Sequence, residues 1–107
     1  VNTQGENMAD NAGVKLAYRA YKRLKKKEPG LPQLEKYSND QLFMLSGATI
    51  WCSRMRLEAL KMNILRNVHS PPEFRVKGPI MNLPRFAEVF QCAPGTPMNP
   101  HKKCSVW

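Results

Sequence analysis

Two carboxylates, Glu6 and Asp10, stand four residues apart in Gly5-Glu6-Asn7-Met8-Ala9-Asp10. At roughly 100° per residue a helix puts both on one face. The spacing predicts that Glu6, Ala9, Asp10, Gly13, Ala17, Ala20 and Leu24 share an inward side. Lys15, Arg19, Lys22 and Lys26 then share the solvated opposite side. A buried carboxylate is costly unless a cation or strong donors receive it. A metal ion is one natural receiver, and the positive end of the helix dipole is another. On spacing alone the dipole reading is preferred for Glu6.

The remaining reactive side chains are few. There are three cysteines, Cys52, Cys92 and Cys104, and no C-x-x-C. That pattern argues against a zinc knuckle or a thioredoxin-type site. An odd count leaves a partner outside this chain or one free thiol. A Cys92–Cys104 bond across a Pro-rich loop, with Cys52 buried, is the other reading. The two histidines are His69 and His101. By residue type alone, His69 is a loop histidine and Arg75 is one more arginine in a basic chain.

These groups need a body to hold them. The chain has 107 residues, enough for one small domain with a core. No apolar run reaches the length of a membrane span. No signal peptide is evident. The sequence opens at Val1 with the acidic motif close behind, which reads as a piece of something longer. Net charge is +9, with a run at Lys22, Arg23, Lys25, Lys26 and Lys27. Such a run suits nucleic acid or an anionic membrane. It equally suits a solvated helix end, where cations face the C-terminal dipole. The second reading is preferred, because the run occupies one turn and no aromatic platform accompanies it.

The pattern predicts a mainly α chain of about four helices joined by long Pro-rich loops. Thr3-x-x-Glu6 fits a capping box, partly lost if Glu6 has another duty, and the first helix runs to about Lys27. Glu28-Pro29-Gly30-Leu31-Pro32 stops it. Ser38-x-x-Gln41 is a second capping box. It opens a helix over about Asn39 to Ser53 that is apolar on most sides and therefore central. A third helix covers about Leu57 to Arg66, with Leu57, Leu60, Ile64 and Leu65 inward. The prolines of His69-Ser70-Pro71-Pro72-Glu73-Phe74-Arg75-Val76 predict an extended turn, with a short strand over Phe74 to Val76. A fourth helix spans about Pro84 to Phe90. The tail from Cys92 to Trp107, with Pro94, Pro97 and Pro100, orders only if pinned to a body.

At this point the residues resemble a known family. Asn2-Thr3-Gln4-Gly5-Glu6-Asn7-Met8-Ala9-Asp10-Asn11 is similar to the E-x-x-x-D segment of neprilysin and the endothelin-converting enzymes. Asn39-Asp40-Gln41-Leu42-Phe43 with Trp51-Cys52 as one block, then His69 to Val76, recur there in the same order. So do Met98-Asn99-Pro100 and the ending Lys102-Lys103-Cys104-Ser105-Val106-Trp107. The resemblance covers essentially the whole chain, and five separated blocks make it specific.

The resemblance implies the C-terminal helical portion of a thermolysin-like zinc metallopeptidase domain, with residues 1–107 as one incomplete unit. The family's H-E-x-x-H segment, which carries two zinc ligands and the general base, has no counterpart here. Glu6 resembles the third ligand of a single Zn2+. Asp10 resembles the acid that holds a ligand histidine in its correct tautomer. His69 resembles the histidine that stabilises the oxyanion of the tetrahedral intermediate. Arg75 resembles the residue that grips a substrate backbone carbonyl. Ile50 and Trp51 resemble the wall of the pocket for a large apolar residue just after the scissile bond, although plain core packing accounts for them equally. Cys52, Cys92 and Cys104 each resemble a cysteine bonded to a partner earlier in the longer chain, which implies an extracellular setting, secreted or as an ectodomain. The implied partners are peptide substrates and the rest of the peptidase, with no nucleic acid and no membrane contact by this segment. Three positions depart from the pattern. Asn67 stands where Asp is common, Asp10-Asn11-Ala12-Gly13 replaces Asp-Asn-Gly-Gly, and Gly47 replaces a bulkier residue. Two readings from other classes stand beside this one: a non-catalytic helical secreted module, and a basic binder of nucleic acid or membrane surfaces.

Overall fold

The computed structural model describes residues 2–24 and 29–106. Five helices follow in order: α1 Gln4–Lys22, α2 Asn39–Thr49, α3 Leu57–Arg66, α4 Pro72–Asn82 and α5 Pro84–Val89. There is no strand among the described residues. The mainly α expectation stands, with one helix more than the sequence predicts. None of these helices is long and apolar enough to cross a membrane.

The additional helix is α4, which occupies the segment expected to be an extended turn and a strand. The proline pair starts this helix instead of preventing it. Pro71 is extended at φ −54° and ψ 150°, as a residue before proline must be, and Pro72 takes the first helical position. The missing N–H costs nothing there, because the first turn has no intrahelical acceptor for it. The amides of Phe74 and Arg75 both donate to the Pro71 carbonyl. Phe74 to Val76 is therefore helical, and Arg75 projects from the first turn of α4.

Two helices end earlier than expected. α1 stops at Lys22, where the amides of Arg23 and Leu24 turn back to Ala20 and Tyr21, three residues earlier. Lys25, Lys26 and Lys27 of the predicted extension and basic run, and Glu28 of the predicted stop, lie outside the described residues. α2 stops at Thr49, and Trp51 and Cys52 donate to Ala48 and Thr49 in the same tightened pattern.

The core gathers Tyr18, Met44 and Leu83, with Val14, Tyr21, Phe43, Phe86, Val89 and Phe90 packed around them. Tyr21 stacks on Phe43 with ring centroids 4.9 Å apart, and Tyr18 meets Phe43 edge-on at 5.5 Å. α1 lies chiefly against α4, while α2 and α5 flank α4. The inward face of α1 is not the predicted one. Ala9, Gly13, Ala17, Ala20 and Leu24 are exposed, whereas Ala12 and Tyr18 are buried. The covered stripe runs through Asn7, Asn11, Val14, Tyr18 and Tyr21, so Glu6 and Asp10 sit half-buried along its margin. Lys15, assigned to the solvated side, is half-buried and its ammonium donates to Ser105 Oγ and the Val106 carbonyl.

α2 and α3 are also less enclosed than their apolar content predicts. α2 buries Met44, while Leu45 and Cys52 are exposed and Ile50 is 77% exposed. Of the α3 residues expected inward, only Leu60 is half-buried, and Leu65 is 75% exposed. The apolar faces exist as the sequence predicts, but no described element covers them. The tail is pinned by hydrogen bonds. Lys103 donates to the Met81 carbonyl, one of the acceptors that the end of α4 leaves unused. The Asn82 side chain accepts from the Cys104 amide and donates to Asn11.

Candidate active site

α1 presents Glu6 and Asp10 one turn apart on the margin of its covered stripe. Each meets a residue from the Asn67–Arg75 segment. His69 Nε2 lies 3.1 Å from Glu6 Oε2, with both side chains roughly 40% exposed. Arg75 donates Nε to Asp10 Oδ2 and Nη2 to Asp10 Oδ1, both at 2.7 Å. This two-pronged pair is the geometry for which a guanidinium is suited. The carboxylate beside it holds the Arg75 pKa above its ordinary value.

The loop before α4 is fixed from two sides. The His69 amide donates to Asn67 Oδ1 at 2.9 Å, and His69 Nδ1 lies 3.1 Å from the same oxygen. Asn67 therefore keeps contact with the imidazole but contributes no charge. Ser70 Oγ donates to Asn7 Oδ1 at 2.7 Å, which ties the loop to α1. Asn11 in turn donates to the Asn7 carbonyl and accepts from Asn82. The sequence reading passed over this Asn7–Asn11–Asn82 ladder. Its available signal was asparagine at i and i+4 within a helix, where it is unfavourable unless it bonds to something.

Trp51 packs against the other face of this arrangement. The Arg75 guanidinium carbon lies 4.1 Å from the indole centroid. Trp51 and Arg75 also line an apolar cavity of about 220 Å³ with Val14, Phe43, Ile50 and Ile80. Ile50 forms its exposed rim. The absence of a side chain at Gly47 leaves open space on that wall.

Glu6, Asp10, His69, Arg75, Trp51 and Ile50 thus form one continuous surface. The three cysteines do not join it. Their thiols are free, with Cys52 and Cys104 exposed and Cys92 half-buried. Among the described residues no group of three or more His, Cys, Asp or Glu side chains is placed to hold a metal ion. Glu6 is nevertheless chemically suited to ligate one. Its Oε1 has no partner among the described residues, and its side chain is partly exposed.

A second charged cluster sits at the far end of α1. Asp40 accepts from Tyr18 Oη at 2.9 Å, from Lys22 Nζ at 3.1 Å and from Arg85 Nη2 at 3.1 Å. Its side chain is only 12% exposed. Burial pushes the Asp40 carboxyl upward, but the hydrogen bonds from Lys22, Tyr18 and Arg85 outweigh burial and hold it below its ordinary range. Burial pushes the Tyr18 hydroxyl upward, against the hydrogen bond from Arg85.

Comparison with known proteins shows the family. The sequence model of Peptidase family M13 matches residues 1–106. The chain is 50% identical to Neprilysin-2 of Drosophila melanogaster over 110 residues, covering 100% of this chain and 14% of that protein. It is 50% identical to Endothelin-converting enzyme 1 of Bos taurus, covering 99% of this chain and 14% of that protein. Among solved structures it superimposes on the "Haemonchus galactose containing glycoprotein complex" with a TM-score of 0.91 and 39% identity, over 99% of this chain and 19% of that one. The chain thus spans about a seventh of the curated relatives it matches. A match along almost the whole length, from both sequence and fold, leaves one assignment: this chain belongs to peptidase family M13.

Proposed function

We propose that this chain supplies the C-terminal part of the catalytic domain of a zinc-dependent metalloendopeptidase. The enzyme cleaves extracellular oligopeptides on the amino side of large apolar residues. The observation that carries the reading is the linkage of Glu6 to His69, of Asp10 to Arg75, and of Arg75 to Trp51 beside an apolar cavity. Residues far apart in sequence converge on one surface whose chemistry suits peptide hydrolysis.

Glu6 would hold the metal through its unpartnered oxygen, with the remaining protein ligands outside this chain. Bound zinc supplies a Lewis acid and a water of lowered pKa. His69 Nε2 faces Glu6 Oε2, and with Glu6 engaged by the metal it would turn its N–H to the oxyanion that develops on the scissile carbonyl. Such a donor is worth most when it is oriented beforehand, and Asn67 provides that orientation. Arg75 is held by Asp10 through Nε and Nη2. Nη1 makes no hydrogen bond among the described residues and is left to a substrate carbonyl. The cavity bounded by Trp51, Ile50 and Phe43 receives the apolar side chain. Asp10 retains acceptor capacity on each oxygen for a ligand histidine from the rest of the enzyme.

Residues 1–107 form one unit in this reading, incomplete on its own. The uncovered faces of α2 and α3 pack against the remainder of the peptidase. Cys52, Cys92 and Cys104 bond to cysteines elsewhere in it, in an oxidising extracellular setting. Peptide mapping of the non-reduced full-length protein checks this pairing, and a Cys92–Cys104 bond would overturn it. Part of the basic charge is structural: Lys22 and Arg85 serve Asp40, Lys77 pairs with Glu73, and Lys103 caps α4.

The test is zinc content and hydrolysis of an internally quenched peptide by the full-length enzyme carrying Glu6→Gln. Zinc affinity should fall by more than about 100-fold, since even groups behind the ligands cost 10- to 100-fold. Full zinc occupancy with unchanged turnover would refute the assignment. The isolated 107-residue chain should show no turnover, because one carboxylate does not retain zinc usefully. Chelator-sensitive activity of that chain, lost on Glu6→Ala, would contradict this.

A further inference from the structure

We propose that Trp51 is a positioning residue for Arg75, setting the plane from which the guanidinium presents Nη1 to the substrate backbone. The inference rests on the peptidase reading above and adds a role for Trp51 beyond lining the pocket. Asp10 takes two of the guanidinium's five N–H donors, through Nε and Nη2. A two-pronged carboxylate fixes a guanidinium along the line between the pair. It does not stop the plane from tilting about that line. The indole face 4.1 Å from the guanidinium carbon supplies the missing restraint. Cation–π attraction of this kind strengthens where the cation is shielded from water, and the Arg75 side chain is only 16% exposed.

Trp51 is itself held where such a restraint requires rigidity. The consecutive turns Trp51 N–H to Ala48 and Cys52 N–H to Thr49 fix the backbone just past α2. The indole lines the cavity that Val14 of α1 and Ile80 of α4 also line. A substrate side chain entering the cavity and a carbonyl meeting Nη1 would then be positioned by one residue. Trp51 contacts the first directly and acts on the second through Arg75.

The two roles separate in a double-mutant cycle on the full-length enzyme, with Trp51→Leu, Trp51→Phe, Arg75→Met and the double variant Trp51→Leu/Arg75→Met. Two peptides are compared that differ only in Phe or Ala after the scissile bond. If Trp51 acts through Arg75, Trp51→Leu raises KM about 3- to 10-fold for both peptides, with a smaller change in kcat. Trp51→Phe, which keeps an aromatic face, recovers most of the loss. In the Arg75→Met background, Trp51→Leu adds little, because the partner it positions is gone. A KM rise confined to the Phe peptide and undiminished beside Arg75→Met would make Trp51 a pocket wall only. A crystal structure of Trp51→Leu gives an answer that does not depend on activity. The guanidinium should swing about its Asp10 contacts, and an unmoved guanidinium overturns the proposal. Failure of the peptidase reading would instead show as absent zinc-dependent cleavage in the unmutated enzyme.

Discussion

The two ends of α1 carry charged clusters built from similar parts and finished differently. At the C-terminal end, Asp40 accepts hydrogen bonds from a tyrosine, a lysine and an arginine, and both of its oxygens are engaged. At the N-terminal end, Glu6 keeps one oxygen without a partner and Arg75 keeps Nη1 without an acceptor, among the described residues. Glu6 is roughly 40% exposed and its free oxygen is open to a ligand, so in the proposed reading this unused capacity is where the metal and the substrate bind. The Asp40 cluster closes α1 against α2 and α5. The Glu6 cluster leaves hydrogen-bonding capacity unused among the described residues.

That contrast predicts losses of different kinds. In the full-length enzyme, His69→Ala should lower kcat by roughly 10²–10³-fold, as for removal of an oxyanion donor. Zinc content and KM should change little. A pure KM effect would mean that His69 binds substrate and does not act on the chemical step. Arg75→Met should act the other way, raising KM by about 10-fold or more through loss of a charge-assisted contact. Steady-state kinetics on one peptide separates the two, and a kcat loss alone for Arg75→Met would remove the gripping role.

The Asp40 cluster should respond through stability. Asp40→Asn removes a mostly buried carboxylate from three donors and should cost about 1–3 kcal/mol locally. Hydrogen exchange over residues 18–24 and 38–44 reads this directly, while kcat should stay near that of the unmutated enzyme. The pH dependence follows from the depressed Asp40 pKa. Its stabilisation is complete above the unfolded value of about 3.9 and is lost as pH falls through the lower folded value. Protection in these segments should therefore fall below about pH 4, and Asp40→Asn should flatten that limb. An identical acid limb in the variant would show that another group governs it.

The sequence made some of this architecture readable and hid the rest for physical reasons. α3 begins and ends where its pattern predicts, and α5 starts at Pro84 as expected. α4 was hidden because Pro71-Pro72 is the same signal whether it ends a helix or begins one. Only the chain that follows decides, and Pro72 at the first helical position costs nothing. The covered face of α1 was hidden because periodicity follows apolar residues, and here asparagines occupy part of the covered stripe. Their burial is offset by bonds to Ser70 and Asn82, which no local pattern contains. The exposed flanks of α2 and α3 were read as inward because they are apolar. In the proposed reading they are covered only in the longer protein. The candidate site residues came from the resemblance. Their pairing did not, because Glu6–His69, Asp10–Arg75 and Arg75–Trp51 each join separate segments.

The two capping boxes repeat the comparison on the smallest energetic scale. Thr3-x-x-Glu6 and Ser38-x-x-Gln41 are the same sequence signal, yet only the second forms. Ser38 Oγ accepts from the Gln41 amide, and Gln41 Oε1 accepts from the Ser38 amide. Thr3 makes no side-chain cap: its backbone is helical at φ −92° and ψ 0° where Ser38 is extended, its hydroxyl accepts from Asn7 Nδ2, and Glu6 is turned to His69. A carboxylate turned to another side chain does not also cap its helix. Ser38→Ala should therefore destabilise the first turn of α2 by about 0.5–2 kcal/mol. Thr3→Ala should leave the first turn of α1 within about 0.5 kcal/mol of its original stability. Hydrogen exchange over residues 4–8 and 39–43 in the full-length enzyme compares the two. Equal losses at both would show that Thr3 caps α1 after all, and that Glu6 is free to alternate between the cap and His69.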